Sequence, residues 1–390
     1  MKSVGNKLKA IVKLCFAAAV LLALSTGFVR AVFFPKDVNE YESRMANQFP
    51  AFTTESFSDS SFQDGAEDAL SDQLPLSAYF KKAYNLIKVK YMQLTAFPYT
   101  DKIKDTYLKY DTIYYYNNML VYKKISLPEA TPKLDMVLDK YDKLVCESSA
   151  EFFQYYIESD HDIDFETEEK SGVYEYIMAR SPIPKENIGR LEISNFDEYS
   201  SGYYATDIHW NYRGSYDGYR DILHLIGCED AALEPQEEVV FPKMWRGAKA
   251  KDIGNELIFE SFSAYRFDFP DMEFFIDGEQ ADDYGIQEAC FENPETNVAY
   301  MSFYGGSSSE AIIDTGRKDM ENLLIIGDSF AHAIFKLTAS HFNRTYLIDP
   351  RRNDISVGEL TDYIRDNEID KVLFLNYYIT LADERFIIPG

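Results

Sequence analysis

The chain has 390 residues and carries 65 acidic against 39 basic side chains, a formal net charge of −26 with the histidines neutral. Such a charge repels phosphate backbones, which argues against nucleic acid as a partner and, less strongly, against a densely anionic polymer. With 46% apolar residues, the chain is long enough to bury a substantial core.

The N-terminus has the pattern of a membrane signal. Four lysines within the first 13 residues precede an apolar stretch from Leu14 to about Phe34, close to the ~20 residues that a spanning helix needs. Because basic flanks stay in the cytoplasm, we expect residues 1–35 to form a cytoplasmic tip and a single-pass anchor, with the rest of the chain extracytoplasmic. A cleaved signal peptide is the alternative, although no small-x-small cleavage site precedes Phe33.

The four cysteines do not suggest a disulfide framework. Cys15 lies in the membrane segment, which leaves Cys146, Cys228 and Cys290 widely spaced and odd in number. We predict buried free thiols, with a single bridge as the alternative. The spacing of Cys and His residues matches no metal site, and neither a metal nor another cofactor is expected.

The segment after the anchor differs in composition from the rest of the chain. Residues 36–72 are acidic, rich in Ser and Phe and without regular periodicity, which predicts a stalk or linker. The catalytic domain is expected to span 73–390. Helical spacing over 76–94 predicts its first helix, and an Asn117-Asn118 pair between apolar runs predicts a hairpin within 107–122.

The middle of the chain mixes regular and irregular patterns. Apolar spacing predicts helices over 134–145 and 212–226, and short apolar runs predict strands at 152–157 and 190–193. Four prolines interrupt 229–315, which we interpret as an irregular β-rich insertion.

The last part of the chain alternates between strand and helix patterns. Strands are predicted at 323–326, 346–348 and 372–375, with helices from about 330 and over 356–367. Such alternation implies a parallel sheet covered by helices on both faces. The predicted fold class is therefore a three-layer α/β/α domain.

The strand predicted at 323–326 ends abruptly in Gly327-Asp328-Ser329, just where a helix begins. A serine at the carboxyl end of a parallel strand occupies the place where α/β folds carry their chemistry. We expect Gly327 and Asp328 to shape the turn, with the aspartate accepting backbone N–H bonds. The alternative for Ser329 is an ordinary helix cap.

Asp207 and His209 supply the other parts of a nucleophilic site. In an extended backbone, side chains two residues apart point the same way. Serine is a weak nucleophile until a base takes its proton, and the base needs a third group to fix its tautomer. We therefore predict Ser329 as nucleophile, His209 as base and Asp207 as the orienting carboxylate. His332 is the competing base, although its separation of three residues points it along the helix.

Several motifs resemble the DHHW proteins, relatives of the SGNH-hydrolase-like alginate O-acetylation proteins. The likeness covers about residues 40–380 and rests on the segments 207–211 with Gly214, 327–330, 41–50, 245–247 and 348–352. The first of the two family histidines is Ile208 here, but the implied triad needs only the aspartate and the last histidine. The resemblance implies an SGNH-like fold with a permuted motif order, in which Asp-x-His precedes the serine.

The resemblance also implies an activity, partners and further site residues. The activity is O-acetyl transfer to a cell-surface polysaccharide or exopolysaccharide, with a multi-spanning membrane O-acyltransferase supplying the acetyl group. Asn376, at the end of the last strand, corresponds to an oxyanion-hole asparagine, with an ordinary strand-ending asparagine as the alternative. Tyr300 and Tyr304 are candidates for the acceptor groove, and Trp210 is a candidate sugar platform or a core residue.

Three other functions stay open at this stage. A carbohydrate acetylesterase would use the same acyl-enzyme and resolve it with water. A non-catalytic glycan-binding surface protein has no need for Ser, His and Asp together. A relative of the extracytoplasmic D-alanyl transfer proteins would carry the serine before the Asp/His pair, the reverse of the order seen here.

Overall fold

The computed structural model describes residues 113–387 apart from 229–231, 254–257, 307, 353 and 384, together with scattered residues between 13 and 87. The chain forms two compact units, Met1–Asp101 with Ala250–Leu257, and Lys102–Lys249 with Ile258–Gly390. Most of the predicted anchor and most of the helix predicted over 76–94 lie outside the described residues. Among those that are described, no helix has the length and apolar character needed to cross a bilayer.

In the first unit, the segment predicted to be an irregular stalk contains regular structure. Strands Val38–Asn39 (β1) and Arg44–Met45 (β2) pair with each other, and helices span Thr54–Ser58 (α1) and Ser61–Gln73 (α2). The second helix forms because Phe62, Ala66 and Ala69 recur at helical spacing among the acidic residues that obscured the pattern.

The second unit holds the core and the candidate site. Its strands are Ile113–Tyr116 (β3), Met119–Tyr122 (β4), Glu151–Ile157 (β5), Ile163–Asp164 (β6), Glu169–Lys170 (β7), Ile188–Leu191 (β8), Glu237–Trp245 (β9), Glu260–Arg266 (β10), Glu273–Ile276 (β11), Glu279–Ala281 (β12), Glu310–Asp314 (β13), Leu323–Gly327 (β14), Arg344–Ile348 (β15) and Lys371–Asn376 (β16). The helices that lie wholly or partly in it are Leu127–Glu147 (α3), Val173–Arg180 (α4), Phe196–Gly202 (α5), Tyr212–Leu225 (α6), Ala248–Asp252 (α7), Gln287–Glu292 (α8), Tyr300–Tyr304 (α9), Ser329–Ala339 (α10), Val357–Asp366 (α11) and Tyr378–Leu381 (α12).

An eight-stranded mixed sheet organises this unit, with the strand order β12-β11-β13-β15-β14-β16-β5-β8. The five strands from β15 to β8 are parallel, which confirms an α/β fold with a parallel sheet. β14 lies between β15 and β16. After β14, the chain first forms β15 on one side of it and then crosses over to form β16 on the other side. The carboxyl end of such a strand is where open α/β sheets form their crevice.

Both faces of the parallel part are buried, because alternate residues of each strand point to opposite sides. Leu323 and Ile325 belong to one apolar cluster, and Leu324 and Ile326 to the other. Helices α6 and α10 contribute to the first cluster, and α3 and α11 to the second. This explains why the predicted strands were continuous apolar runs rather than alternating ones.

The region 229–315 is not a separate insertion throughout. Strands β9 and β10 form a two-stranded antiparallel hairpin, as a β-rich insertion would. However, β13 pairs with β15, and β11 pairs with β13, so this part extends the main sheet as an antiparallel edge. The prolines made the whole region look irregular in sequence. The strands that pair with β11 and β13 also lie far along the chain.

Two local predictions concern the hairpin and the thiols. Asn117 and Asn118 adopt positive φ angles of 43° and 69° between β3 and β4, which confirms the hairpin turn. The three described cysteines are free, but only Cys290 is buried, while Cys228 is half-buried and Cys146 exposed. The expectation of burial for all of them was therefore wrong.

Candidate active site

Ser329 lies at the first position of α10, directly after the buried central strand β14. Asp328 caps the helix by accepting a hydrogen bond from the Phe330 N–H at 2.8 Å, and it also accepts one from the Thr380 hydroxyl. Because the aspartate provides the cap, the serine hydroxyl is left for other partners. Ser329 follows the carboxyl end of β14 and is half-buried, so the residue is not sealed from solvent.

The structure brings Asp207, His209 and Ser329 together in one hydrogen-bonded chain. His209 Nε2 lies 2.6 Å from Ser329 Oγ, and His209 Nδ1 lies 2.5 Å from Asp207 Oδ1. An ionised carboxylate only accepts, so Nδ1 carries the proton and Nε2 accepts from the serine hydroxyl. This is the arrangement in which a histidine removes a serine proton.

Asp207 and His209 meet through a turn rather than through the extended backbone that their spacing suggested. Residues 205–209 form bends, and the His209 N–H donates to Asp207 Oδ1 at 3.1 Å, an Asx-type contact. Asn211 then caps α6 by accepting from the Arg213 and Gly214 N–H groups. Gly214 is required because a Cβ there would lie 2.2 Å from the Gly202 carbonyl oxygen.

The second oxygen of Asp207 is held by a segment that comes much later in the chain. Ala248 N–H donates to Asp207 Oδ2 at 2.6 Å. A Cβ at Gly247 would lie 2.5 Å from the Asp207 Cβ, so only glycine permits this close approach. Burial alone would raise the pKa of Asp207, but the charge and hydrogen bonds of His209 and the Ala248 N–H lower it to about 2. Asp207 is therefore a carboxylate at any working pH.

The imidazole of His209 rests on an aromatic support. The Tyr300 ring stacks on it with a centroid separation of 3.8 Å and an interplanar angle of 10°, and Trp210 Nε1–H donates to Tyr300 Oη at 3.2 Å. Trp210 is fully buried, and Tyr300 and Tyr304 are 2% and 6% exposed. The burial of Trp210 agrees with the core alternative given for it. Tyr300 and Tyr304 pack against each other in the same core, and Tyr300 supports the histidine ring.

A buried ion pair that sequence reasoning missed lies next to Ala248, the residue whose N–H donates to Asp207. Lys249 Nζ lies 2.5 Å from Asp160 Oδ2 and 2.7 Å from Tyr199 Oη, and the lysine side chain is 0% exposed. Burial alone would raise the pKa of Asp160, but the Lys249 charge and its hydrogen bonds hold it below its ordinary value. Lys249 thus anchors the start of α7, whose Ala248 N–H donates to Asp207.

We expect Lys249→Met to lower the free energy of unfolding by ~3–5 kcal/mol, because it leaves the Asp160 carboxylate buried and uncompensated. Urea unfolding curves of the wild type and the variant measure this difference. The double variant Asp160→Asn/Lys249→Met, which removes both charges, should recover a large part of the loss. Equal stability of the single variant and the wild type would contradict the role given to this pair.

The hydroxyl of Ser329 pairs with His209 and not with His332. Its Nδ1 pairs with the Tyr284 hydroxyl, and its Nε2 is buried and has no hydrogen-bond partner among the described residues. Burial lowers the pKa of His332 to about 3. Because His332 pairs with Tyr284 and His209 pairs with Ser329, His209 is the base that the structure favours.

His332 makes a pH-dependent contribution to stability. The unfolded chain takes up a proton near pH ~6.5, whereas the folded chain does not until about pH 3, so stability is lost as the pH falls below ~6.5. Between about pH 7 and about pH 5, we expect wild type to lose ~2 kcal/mol relative to His332→Gln, which has no proton to take up. Urea unfolding of both proteins at the two pH values measures this change. An unchanged difference would show that His332 is accessible to protons in the fold.

Asn376 ends β16, one residue after Leu375, which pairs with Gly327 on the neighbouring β14. Its side chain is fully buried, and its Oδ1 accepts from the Tyr141 hydroxyl at 2.8 Å. Its Nδ2 is buried without a hydrogen-bond partner in the described part of the chain. A buried amide donor left unpaired beside the serine turn is costly unless a ligand or water completes it.

The fold has counterparts among solved structures. Bacillus cereus PatB1, solved with a sulfonyl adduct, has 18% identity and a TM-score of 0.53, and the match covers 71% of this chain and 97% of that one. A DHHW family protein from Eubacterium siraeum has 18% identity and a TM-score of 0.51, covering 70% and 92%. The O-acetyltransferase domain of Pseudomonas putida AlgJ is more distant, with 10% identity, a TM-score of 0.38 and coverages of 69% and 91%.

Comparison with protein-family models and with curated proteins gave no match. The structural likeness confirms the resemblance that the sequence motifs indicated, at the level of the fold. This chain therefore shares a mixed α/β fold with PatB1 and the DHHW family protein.

Proposed function

We propose that this protein is an extracytoplasmic O-acetyltransferase that moves an acetyl group to a polysaccharide hydroxyl through an acyl-serine on Ser329. One observation carries the proposal: the continuous chain from Asp207 through His209 to Ser329, with separations of 2.5 and 2.6 Å. The fold we propose is SGNH-like, with the Asp-x-His motif before the serine. We further propose that the N-terminal segment anchors the chain in the cell membrane, with the catalytic region outside.

The reaction has two half-reactions that use the same histidine. In the first, His209 Nε2 takes the Ser329 proton while Oγ attacks the acetyl carbonyl, and the imidazolium then returns that proton to the departing donor group. In the second, His209 takes the proton of a sugar hydroxyl, whose oxygen attacks the acyl carbon. The bond to Ser329 Oγ breaks, and the proton passes back to the serine. Asp207 stays ionised and stabilises the imidazolium in both.

The negative oxygen formed in each half-reaction requires donors. The Ser329 N–H at the start of α10 is one, aided by the positive end of the helix. We assign Asn376 Nδ2 as the second. The Tyr141 hydroxyl, by donating to Oδ1, fixes the amide so that the NH₂ group is left for the substrate.

Asn376→Ala is expected to lower kcat for an acetyl ester by ~10²–10³, because it removes one oxyanion donor. Steady-state kinetics with p-nitrophenyl acetate measure kcat and KM separately, and KM should change little. Tyr141→Phe is the matched control, since it keeps the amide and removes only the group that orients it, so its loss should be smaller. An Asn376→Ala enzyme with nearly full turnover would remove Asn376 from the site.

The acceptor separates acetyl transfer from hydrolysis. With p-nitrophenyl acetate as donor, neutral and charged oligosaccharides are added to the full chain, and the products are analysed by mass spectrometry. An acetylated oligosaccharide formed by wild type and not by Ser329→Ala supports the transferase. Release of acetate alone, at a rate independent of the sugar, would make the protein an acetylesterase. Absence of any serine-dependent reaction, with binding of the sugars retained, would make it a glycan-binding protein.

The acetyl group also needs a supplier. A hydroxyl-to-hydroxyl transfer outside the cell needs an activated acetyl group, and a multi-spanning membrane O-acyltransferase is the partner we propose for its delivery. Co-purification of the full chain from membranes, followed by acetylation of Ser329 only when the partner is present, tests this step.

A further inference from the structure

A cleft of about 910 Å³ opens beside α10, and Ser329, His209 and Asp207 are not among its lining residues. Strand β11, the loops around β10 and the segment before α8 form its walls, and Lys336 of α10 reaches into it. The carboxylates that line it are Glu237, Asp268, Asp271, Asp282, Asp283 and Glu288. The proposed acetyl transfer uses none of these side chains.

The lining is strongly negative. Six carboxylates face two cationic groups, and both cations already pair inside the cleft: Lys336 Nζ lies 2.8 Å from Asp283 Oδ1, and Arg266 lies 3.8 Å from Glu288. The other four carboxylates form no ion pair with any residue that the structure describes. Four uncompensated negative charges around one cavity favour a cationic occupant.

Within the cleft, aromatic rings and a carboxylate already hold one ammonium group, that of Lys336. The Lys336 ammonium lies 4.8 Å from the centre of the Phe269 ring and 5.4 Å from that of Phe274, besides its contact with Asp283. Phe267 and Phe269 also line the cleft and are only half-buried, so each leaves part of its surface exposed. Ring faces next to carboxylates suit a sugar, whose C–H surface stacks while its hydroxyl and amino groups donate.

The cleft is connected to the active site through α10. Lys336 follows Ser329 by seven residues, about 10 Å along the helix axis. Tyr284, next to Gly285 of the cleft wall, contacts His332 on the same helix. An oligosaccharide of several units is longer than this axial distance.

We propose that this cleft binds a glycan chain that carries free amino groups. The inference that this chain is the acetyl acceptor rests on the proposed function, whereas the binding itself does not. The same charge excludes uronate-rich polymers from the cleft.

Binding is measured with the full-length Ser329→Ala chain, so that no turnover interferes. Isothermal titration compares a glucosamine oligomer, its fully N-acetylated counterpart and an oligogalacturonate of the same length. The glucosamine oligomer should bind most tightly and should weaken as salt is added. Equal affinity for the N-acetylated oligomer, or tighter binding of the oligogalacturonate, would overturn the proposal.

Variants locate the binding in the cleft. Asp268→Asn/Asp271→Asn removes two exposed charges and should weaken the glucosamine oligomer by about fivefold or more, since a charge pair at contact in water contributes ~1 kcal/mol. Phe269→Leu keeps the apolar volume, removes the ring face and should weaken both oligomers. Glu147→Gln, an exposed charge at the end of α3 on the opposite face, is the matched control and should have no effect. Unchanged affinity in the double variant would place the binding elsewhere.

The two proposals fail in different ways. If the wild-type protein forms no acyl adduct on Ser329, the transferase proposal is refuted and the proposal of amino-sugar binding still stands. Formation of the adduct without amino-sugar binding refutes the cleft proposal alone.

Discussion

Ser329→Ala is expected to lower the turnover of an acetyl ester by about 10⁶-fold, because the attacking oxygen is removed and water cannot use the same geometry. His209 Nε2, now without its 2.6 Å partner, would have no serine proton to take. The residual rate should be independent of sugar acceptors. Steady-state and single-turnover kinetics with p-nitrophenyl acetate measure the loss.

The fold should not change in this variant. Asp328, not Ser329, caps α10, so the helix keeps its first hydrogen bond when the serine hydroxyl is removed. Ser340→Ala, the same chemical change at the other end of the helix, is the matched control and should retain turnover. If Ser329→Ala kept more than a tenth of the wild-type rate, another nucleophile would be responsible.

Asp207→Asn is expected to lower kcat by about 10⁴-fold with little change in KM. An asparagine has one acceptor oxygen, whereas Asp207 uses one oxygen for His209 and the other for Ala248 N–H. If the amide keeps its oxygen on Ala248, its NH₂ group faces Nδ1 and forces the histidine into the tautomer with a proton on Nε2. That tautomer cannot accept the serine proton.

Asp197→Asn, an exposed aspartate in α5, controls for the loss of one negative charge and should have wild-type kinetics. A reduction of less than tenfold in Asp207→Asn would show that the carboxylate is dispensable. In that case, the short contact with His209 would be structural.

The sequence predicted the parallel core well, for an identifiable reason. Residues 323–326 form a short apolar run stopped by a turn, a pattern typical of a strand buried on both faces. Neighbouring residues likewise determine the Asn117-Asn118 turn and helix α6, so the sequence contained what was needed to predict them. By contrast, β11 and β13 join the sheet through pairing with distant strands, which no local pattern encodes.

The candidate site divides in the same way. The residue types and spacing of Asp207, His209 and Ser329 pointed to one another, and the structure places them in contact. The buried Lys249–Asp160 pair and the stacking of Tyr300 on His209 depend on segments about ninety residues apart, so no spacing could reveal them. Trp210 could be a sugar platform or a core residue by composition alone, and only its burial decides for the core.

The most direct test of the central claim is the mass of the full chain after brief exposure to p-nitrophenyl acetate and a low-pH quench, followed by peptide mapping. We predict a single added acetyl group on the peptide that contains Ser329, absent from Ser329→Ala and lost when an oligosaccharide acceptor is added. A sulfonyl fluoride should block the same peptide and prevent acetylation. Acetyl groups scattered over lysines, equally present in Ser329→Ala, would contradict the serine nucleophile and with it the proposed activity.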